Sequence, residues 1–171
     1  MTEENTEEIY GVTDYKRLSW DEYFVTVCAS IGKRSTCDRA RAGGGGCVIA
    51  KGNQIISTGY AGSPPGIEHC DDVGHEIKEI IHQDGSVTKH CVRTTHSEIN
   101  AIGQAAKNGS STIGATLYCF MTPCYNCAKA VLAAGIIRVV AINDYHSADD
   151  TKHIFKESGI TLDILGKAPE Y

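Results

Sequence analysis

Trp20, Phe24, Val27, Cys28 and Ile31 recur at helical spacing, and Ser19 with Glu22 three positions on makes a capping box ahead of them, so the pattern predicts a first helix. A basic, glycine-rich loop follows from Arg39 to Gly46. The runs Cys47-Val48-Ile49-Ala50 and Gln54 to Tyr60 then read as two strands joined by the turn Lys51-Gly52-Asn53. From Gly62 to Arg93 the periodicity dissolves into Pro64-Pro65-Gly66, several acids and a density of His and Cys, with only a short strand suggested around Glu79 to His82. A connection of that length is uncommon in a compact domain unless it is functional or tied down.

Order returns with a helix from about His96 to Lys107, the strand Ala115 to Phe120, and a helix from Cys124 to Ala134 stopped by Gly135. The strand Arg138 to Asn143, a helix from about Asp149 to Glu157 ending at Gly159, and the strand Ile160 to Leu165 complete the series. Strands alternating with helices predict an α/β sandwich whose later strands run parallel. The chain shows no internal repeat and no low-complexity tract beyond the glycines at 43–46.

At 171 residues and 42% hydrophobic content the chain suits one core rather than two. Residues 1–17 are polar and acidic, which predicts a flexible tail, and 18–171 a single domain with a Cys/His-rich insertion at about 62–93. A net charge of −5 without a basic stripe disfavours nucleic acid, while a few local cations suffice for a small anionic substrate. No run approaches the roughly 18 apolar residues that span a bilayer, and Met1 to Glu8 is unlike an export signal, so no membrane is expected and the location is read as cytoplasmic. Eight cysteines in that compartment stay reduced and serve metal binding, catalysis or burial. Cys28, Cys47 and Cys119 fall on helix and strand faces and read as core.

The chemistry concentrates in two segments. Cys124 and Cys127 follow Pro123 at an expected helix N-terminus, where both thiolates can meet one metal. A C-x-x-C pair alone is equally a redox motif or two buried small side chains. His96 opens another helix and adds a third ligand of a type zinc accepts, leaving a position for water. Glu98, two residues beyond, can then lie beside that water without binding the metal and move its proton. H-x-E followed by P-C-x-x-C is the pattern of zinc deaminases that act on cytosine C4 or adenine C6.

Beyond that core the chain resembles the deoxycytidylate (dCMP) deaminases of bacteria and phages, within the cytidine deaminase-like superfamily, from about Trp20 to Leu165. The resemblance rests on Arg34-Ser35-Thr36-Cys37, Ile56-Ser57-Thr58-Gly59-Tyr60 leading into Gly62-Ser63-Pro64, His90-Cys91-Val92-Arg93-Thr94, His96 through Ile102, and Pro123-Cys124 through Ala130. It implies a three-layer α/β/α fold around a five-stranded mixed sheet. It also implies hydrolysis of dCMP to dUMP and ammonia for thymidylate supply, in a homohexamer activated by dCTP and inhibited by dTTP, with Mg²⁺ helping to hold the triphosphate.

The resemblance further implies a second, structural Zn²⁺ held by Cys37, Cys70, Cys91 and His75, the last where some relatives carry Cys, with His69 and His90 as the neighbours that could substitute. It assigns substrate contacts to Ser63, Asn53 and Tyr145, the last as an aromatic packing on the pyrimidine. This chain departs from the family in carrying Ala61 where Asn contacts the nucleotide, so Ser63 and the local backbone carry more of that contact. Ser97 replaces the common Ala of H-A-E. The glycines before Cys47, beside Arg39 and Arg41, could approach an effector phosphate, or form a flexible loop with solvated arginines. The competing readings are a deaminase of another cytosine nucleoside or of tRNA adenosine, and a noncatalytic zinc-scaffolded nucleotide-binding module.

Overall fold

The computed structural model of the protein describes residues 17–42, 44–81, 85–145 and 148–166. Apart from Arg17, the expected tail lies outside them, as does His82 of the anticipated short strand. Helix α1, Trp20–Gly32, begins at the predicted capping box, with Ser19 N donating to Glu22 Oε2 at 2.7 Å and Glu22 N to Ser19 Oγ at 3.3 Å. Its buried face is Phe24, Val25 and Cys28. Trp20, expected on that face, is 53% exposed and stacks on Phe24 at the end of the helix.

Strands β1 (Gly46–Lys51) and β2 (Gln54–Tyr60) form the antiparallel hairpin. β3 (Ile77–Ile81) and β4 (Val87–Cys91) form a separate two-stranded sheet. β5 (Thr116–Met121), β6 (Arg138–Asn143) and β7 (Thr161–Ile164) join the first hairpin in a five-stranded mixed sheet of order β2-β1-β5-β6-β7. β1 pairs antiparallel with β5, while β5, β6 and β7 run parallel, as alternating strands and helices require.

The period-2 alternation of the strands divides the core in two. Val48, Ala50, Tyr118, Val140 and Ile142 face α1 and pack with Phe24, Val25 and Cys28. Cys47, Ile49, Leu117, Cys119, Val139 and Ala141 face the other way, toward Ala101 on α4 (Ser97–Lys107), Ala128 and Val131 on α5 (Tyr125–Ala133), and Phe155 on α6 (Asp149–Ser158). The result is the three-layer α/β/α arrangement, with Cys28, Cys47 and Cys119 all in the core.

Two expectations are corrected. The loop expected from Arg39 to Gly46 opens with a short helix α2, Asp38–Ala42, too brief to display a helical period. The glycines after it serve close packing: a Cβ on Gly46 would lie 2.1 Å from the Cys28 carbonyl oxygen, and one on Gly44 would lie 2.0 Å from the Phe120 ring. The insertion, read as irregular with one short strand, contains the short helix α3 (Cys70–Val73) and the β3–β4 hairpin, paired from Ile77↔Cys91 to Ile81↔Val87. Those strands are exposed or half-buried along their length, so no core imposed the alternation by which a strand is recognised.

Candidate metal centres and active site

His96 is the N-cap of α4 and Cys124 the N-cap of α5, so two helix N-termini with unpaired N–H groups converge on one point. Cys127 lies in the first turn of α5 and is buried. His96 Nδ1 is 3.6 Å from Cys124 Sγ and 3.4 Å from Cys127 Sγ. Bond lengths to zinc of about 2.0–2.1 Å for nitrogen and about 2.3 Å for sulfur place tetrahedral N and S donors about 3.6 Å apart, so this donor set fits the ion.

The three groups are tightly linked in their protonation. The Cys127 thiol beside it, and then His96, hold Cys124 down to about 3, a thiolate at neutral pH. Contact with Cys124 raises His96 to about 9, with burial opposing the rise, and Cys127 is pushed up by Cys124 and by burial. A divalent cation bound here would displace the protons on His96 and Cys127 and favour both thiolates.

Glu98 is 8% exposed in the first turn of α4. Burial raises its carboxyl, opposed by His96 and by Ser97, whose hydroxyl donates to Glu98 Oε2 at 3.1 Å. A carboxyl lifted toward neutrality is suited to taking and returning a proton. α4 reaches this position because residue 59 on β2 is glycine: a Cβ there would lie 2.2 Å from the Ser97 carbonyl oxygen. An isolated antiparallel bridge, Gly62↔Thr95, then ties the end of β2 to the residue before His96.

The ligand atoms of Cys37, Cys70, His75 and Cys91 also gather within 4.8 Å of one another. Cys37 Sγ lies 3.7 Å from His75 Nδ1, and Cys70 Sγ 3.5 Å from Cys91 Sγ. A tetrahedral zinc with sulfur ligands needs S–S separations of about 3.8 Å and S–N separations of about 3.6 Å, so the set fits with small adjustment. Burial works to raise Cys91, but His75, Cys70 and Thr94 bring it to about 6, while burial lifts Cys70 to about 11. His69 and His90 stay outside this group: His90 Nε2 lies 2.9 Å from Thr88 Oγ1, and His69 Nδ1 is buried without a hydrogen-bond partner.

The remaining predicted residues separate by position. Tyr145 follows β6 at the end of the sheet where Met121 pairs with Asn143, the end from which β5 runs on to Cys124. Ser63 adjoins the Gly62↔Thr95 bridge, its hydroxyl donating to the Glu68 carbonyl at 2.8 Å. It also lines a groove of about 490 Å³ along β2 and α4, together with Tyr60, His69, Asn100 and Gln104, which does not include the His96 centre.

Asn53 is a correction. It occupies the β1–β2 turn at φ 65°, beyond the Ala50↔Thr116 pair. The length of β5, roughly 17 Å at about 3.3 Å per residue, separates that turn from the end leading to Cys124, so a substrate there is out of its reach. Arg39 donates from its guanidinium to the Lys89 carbonyl at 3.1 Å, a tie between α2 and β4, and the Arg41 side chain lies outside the described residues.

Sequence reasoning did not find Asp38, Thr94 or Thr151. Asp38 Oδ1 is 2.9 Å from His75 Nε2, Thr94 Oγ1 is 3.3 Å from Cys70 Sγ, and Thr151 Oγ1 donates to the Pro123 carbonyl at 3.0 Å. The adjacency of Asp38 to Cys37 and the place of Thr94 in the segment His90 to Thr94 offered the signals; Thr151 had none.

Residues 18–143 match the family described as the cytidine and deoxycytidylate deaminase zinc-binding region. The chain is 34% identical over 148 residues to ComE operon protein 2 of Bacillus subtilis, covering 86% of this chain and 72% of that one. It is 34% identical over 127 residues to the deoxycytidylate deaminase of Mycobacterium phage D29, covering 72% and 94%. It spans less than half the length of the fission yeast deoxycytidylate deaminase, 44%, at 33% identity. The crystal structure of a cyanophage S-TIM5 dCMP deaminase in complex with dCMP and dUMP shares the fold, with a TM-score of 0.68, 24% identity, and coverage of 88% and 99%.

Proposed function

Because this chain belongs to the cytidine and deoxycytidylate deaminase family, we propose that it hydrolyses dCMP to dUMP and ammonia. The observation that carries this reading is the convergence of His96, Cys124 and Cys127 beside the buried carboxyl of Glu98. The dCMP assignment rests on the relatives named deoxycytidylate deaminase and on the phage enzyme that binds dCMP and dUMP.

His96, Cys124 and Cys127 would hold zinc, which when bound would supply the Lewis acidity that makes a water nucleophilic at neutral pH. Glu98 accepts one proton of the attacking water as its oxygen adds to C4 and delivers it to N3; it then takes the remaining proton from the C4 hydroxyl and passes it to the amino group, so that ammonia leaves and the C4 carbonyl of dUMP forms. Tyr145 packs against the pyrimidine, and Ser63 with the backbone near Ala61 contacts the nucleotide. Cys37, Cys70, His75 and Cys91 would hold a second zinc, which would order the insertion.

The finer parts of the proposal are activation by dCTP with Mg²⁺, inhibition by dTTP, a homohexameric assembly, and a cytoplasmic location in which the product feeds thymidylate synthesis. Family membership supports them. Among the described residues no helix is long and apolar enough to cross a membrane. The test is ammonia release by the zinc-loaded protein from dCMP and from deoxycytidine, each with and without dCTP and Mg²⁺. Turnover of dCMP alone, raised by dCTP, is expected; turnover of deoxycytidine alone, or of neither, removes the dCMP assignment.

A further inference from the structure

A histidine that ligates a metal through one ring nitrogen keeps a proton on the other, and what accepts that proton decides the tautomer, the ring orientation and the basicity of the ligating nitrogen. His75 shows both halves of such an arrangement. Its Nδ1 faces Cys37 Sγ at 3.7 Å, inside the cluster with Cys70 and Cys91, and its Nε2 meets Asp38 Oδ1 at 2.9 Å on the side away from the sulfurs. We propose that Asp38 is a positioning residue of this centre, orienting and polarising His75 so that Nδ1 presents its lone pair to the metal. The inference rests on the reading of Cys37, Cys70, His75 and Cys91 as a zinc centre.

The neighbourhood of Asp38 supports the role. It is the first residue of α2, and the same Oδ1 accepts from the Arg39 main-chain N–H at 2.6 Å, which holds the carboxylate in place despite its 67% exposure. The Arg39 side chain reaches on to the Lys89 carbonyl of β4, close to Cys91. One turn of α2 therefore meets the imidazole ligand directly and ties down the strand that carries a thiolate ligand. A carboxylate in contact with an imidazole also raises the electron density at Nδ1, which a neutral acceptor does less well.

The test is chelator competition on the zinc-loaded full chain, using 4-(2-pyridylazo)resorcinol with zinc content read by mass spectrometry. The wild type is expected to carry two zinc ions per chain. Asp38→Ala should weaken one of them about 10- to 100-fold and leave the other unchanged. Asp38→Asn keeps an acceptor without the charge and should fall between. In a His75→Cys background, Asp38→Ala should change nothing, because the imidazole it acts through is gone. Equal losses in both backgrounds, or an Asp38→Ala affinity within about twofold of wild type, would overturn the inference. A wild type with a single zinc that Cys91→Ser does not reduce would instead overturn the reading of the second centre, whatever Asp38 does.

Discussion

The hydroxyl of Thr151, wholly buried on α6, donates to the main-chain carbonyl of Pro123 at 3.0 Å, one residue ahead of Cys124. Nearby, Thr122 donates its N–H to the Asn143 carbonyl at 2.9 Å, and its hydroxyl lies 3.1 Å from Asp144, which pairs with Lys152. The turn that presents both cysteines is thus fastened to α6 and to the end of β6.

Thr151→Val preserves shape and leaves the buried Pro123 carbonyl without its donor. A cost of about 1–3 kcal/mol is expected. Thermal unfolding should fall by about 2–4 °C per kcal/mol. An unchanged midpoint would mean that another group satisfies the carbonyl.

Glu98→Gln should retain zinc and fold while turnover falls by at least the roughly 10²–10⁴-fold typical of a lost acid–base group. Zinc content and ammonia release, measured on the same preparation, check both halves of that statement. Activity near the wild-type level would remove Glu98 from the proton path.

Stripping metal should loosen the β3–β4 hairpin first. A lone two-stranded hairpin is marginal in water, and this one is held by Cys91, by the Arg39 bond to Lys89 and by the Val92 bond to the Glu76 carbonyl. Amide exchange should accelerate sharply across Ile77–Ile81 and Val87–Cys91 on treatment with a chelator, while β1, β5 and β6 stay protected. Uniform protection with and without metal would show that the centre does not order the insertion.

Arg138 joins α1 to the sheet, with Nη1 and Nη2 donating to Asp21 Oδ1 and Oδ2 at 2.9 and 2.8 Å and Nε donating to Asp163 Oδ2 at 2.8 Å. The Arg138 hydrogen bonds hold Asp21 below its ordinary carboxylate value. A depressed folded pKa stabilises the protein fully above the unfolded value of about 3.9, and that contribution is lost as pH falls through the folded pKa. In urea titrations the gap between wild type and Asp21→Asn should be constant near neutral pH and narrow below about pH 4. A gap that widens on acidification would reverse the assigned sign.

Much of this protein is written locally. The Ser19–Glu22 box, the helical stripe that follows it, and the apolar runs of the main sheet announced elements whose bounds moved by only a few residues, because a core lies on each side to enforce the period. The cluster of His96, Glu98, Cys124 and Cys127 was legible for a related reason: the proposed ligands and base sit at fixed offsets at the starts of helices, so spacing along the chain converts directly into spacing in space. The cysteines of the second centre were legible through family resemblance.

What the tertiary structure alone decided lies where chain distance and spatial distance part. The strand order β2-β1-β5-β6-β7 put Asn53 at the far end of the sheet from Cys124, which no turn motif discloses. Of the β3–β4 hairpin only a short strand around Glu79 to His82 was legible, because neither face is buried enough to stamp a pattern on its residues. Asp38 against His75, Thr151 against Pro123 and Asp21 against Arg138 are contacts between elements remote in the chain, each resting on a hydrogen bond that depends on packing rather than on any period in the sequence. Local chemistry determined which elements form and where the reactive residues stand on them; long-range packing decided which polar side chains meet, because that depends on how the layers close together.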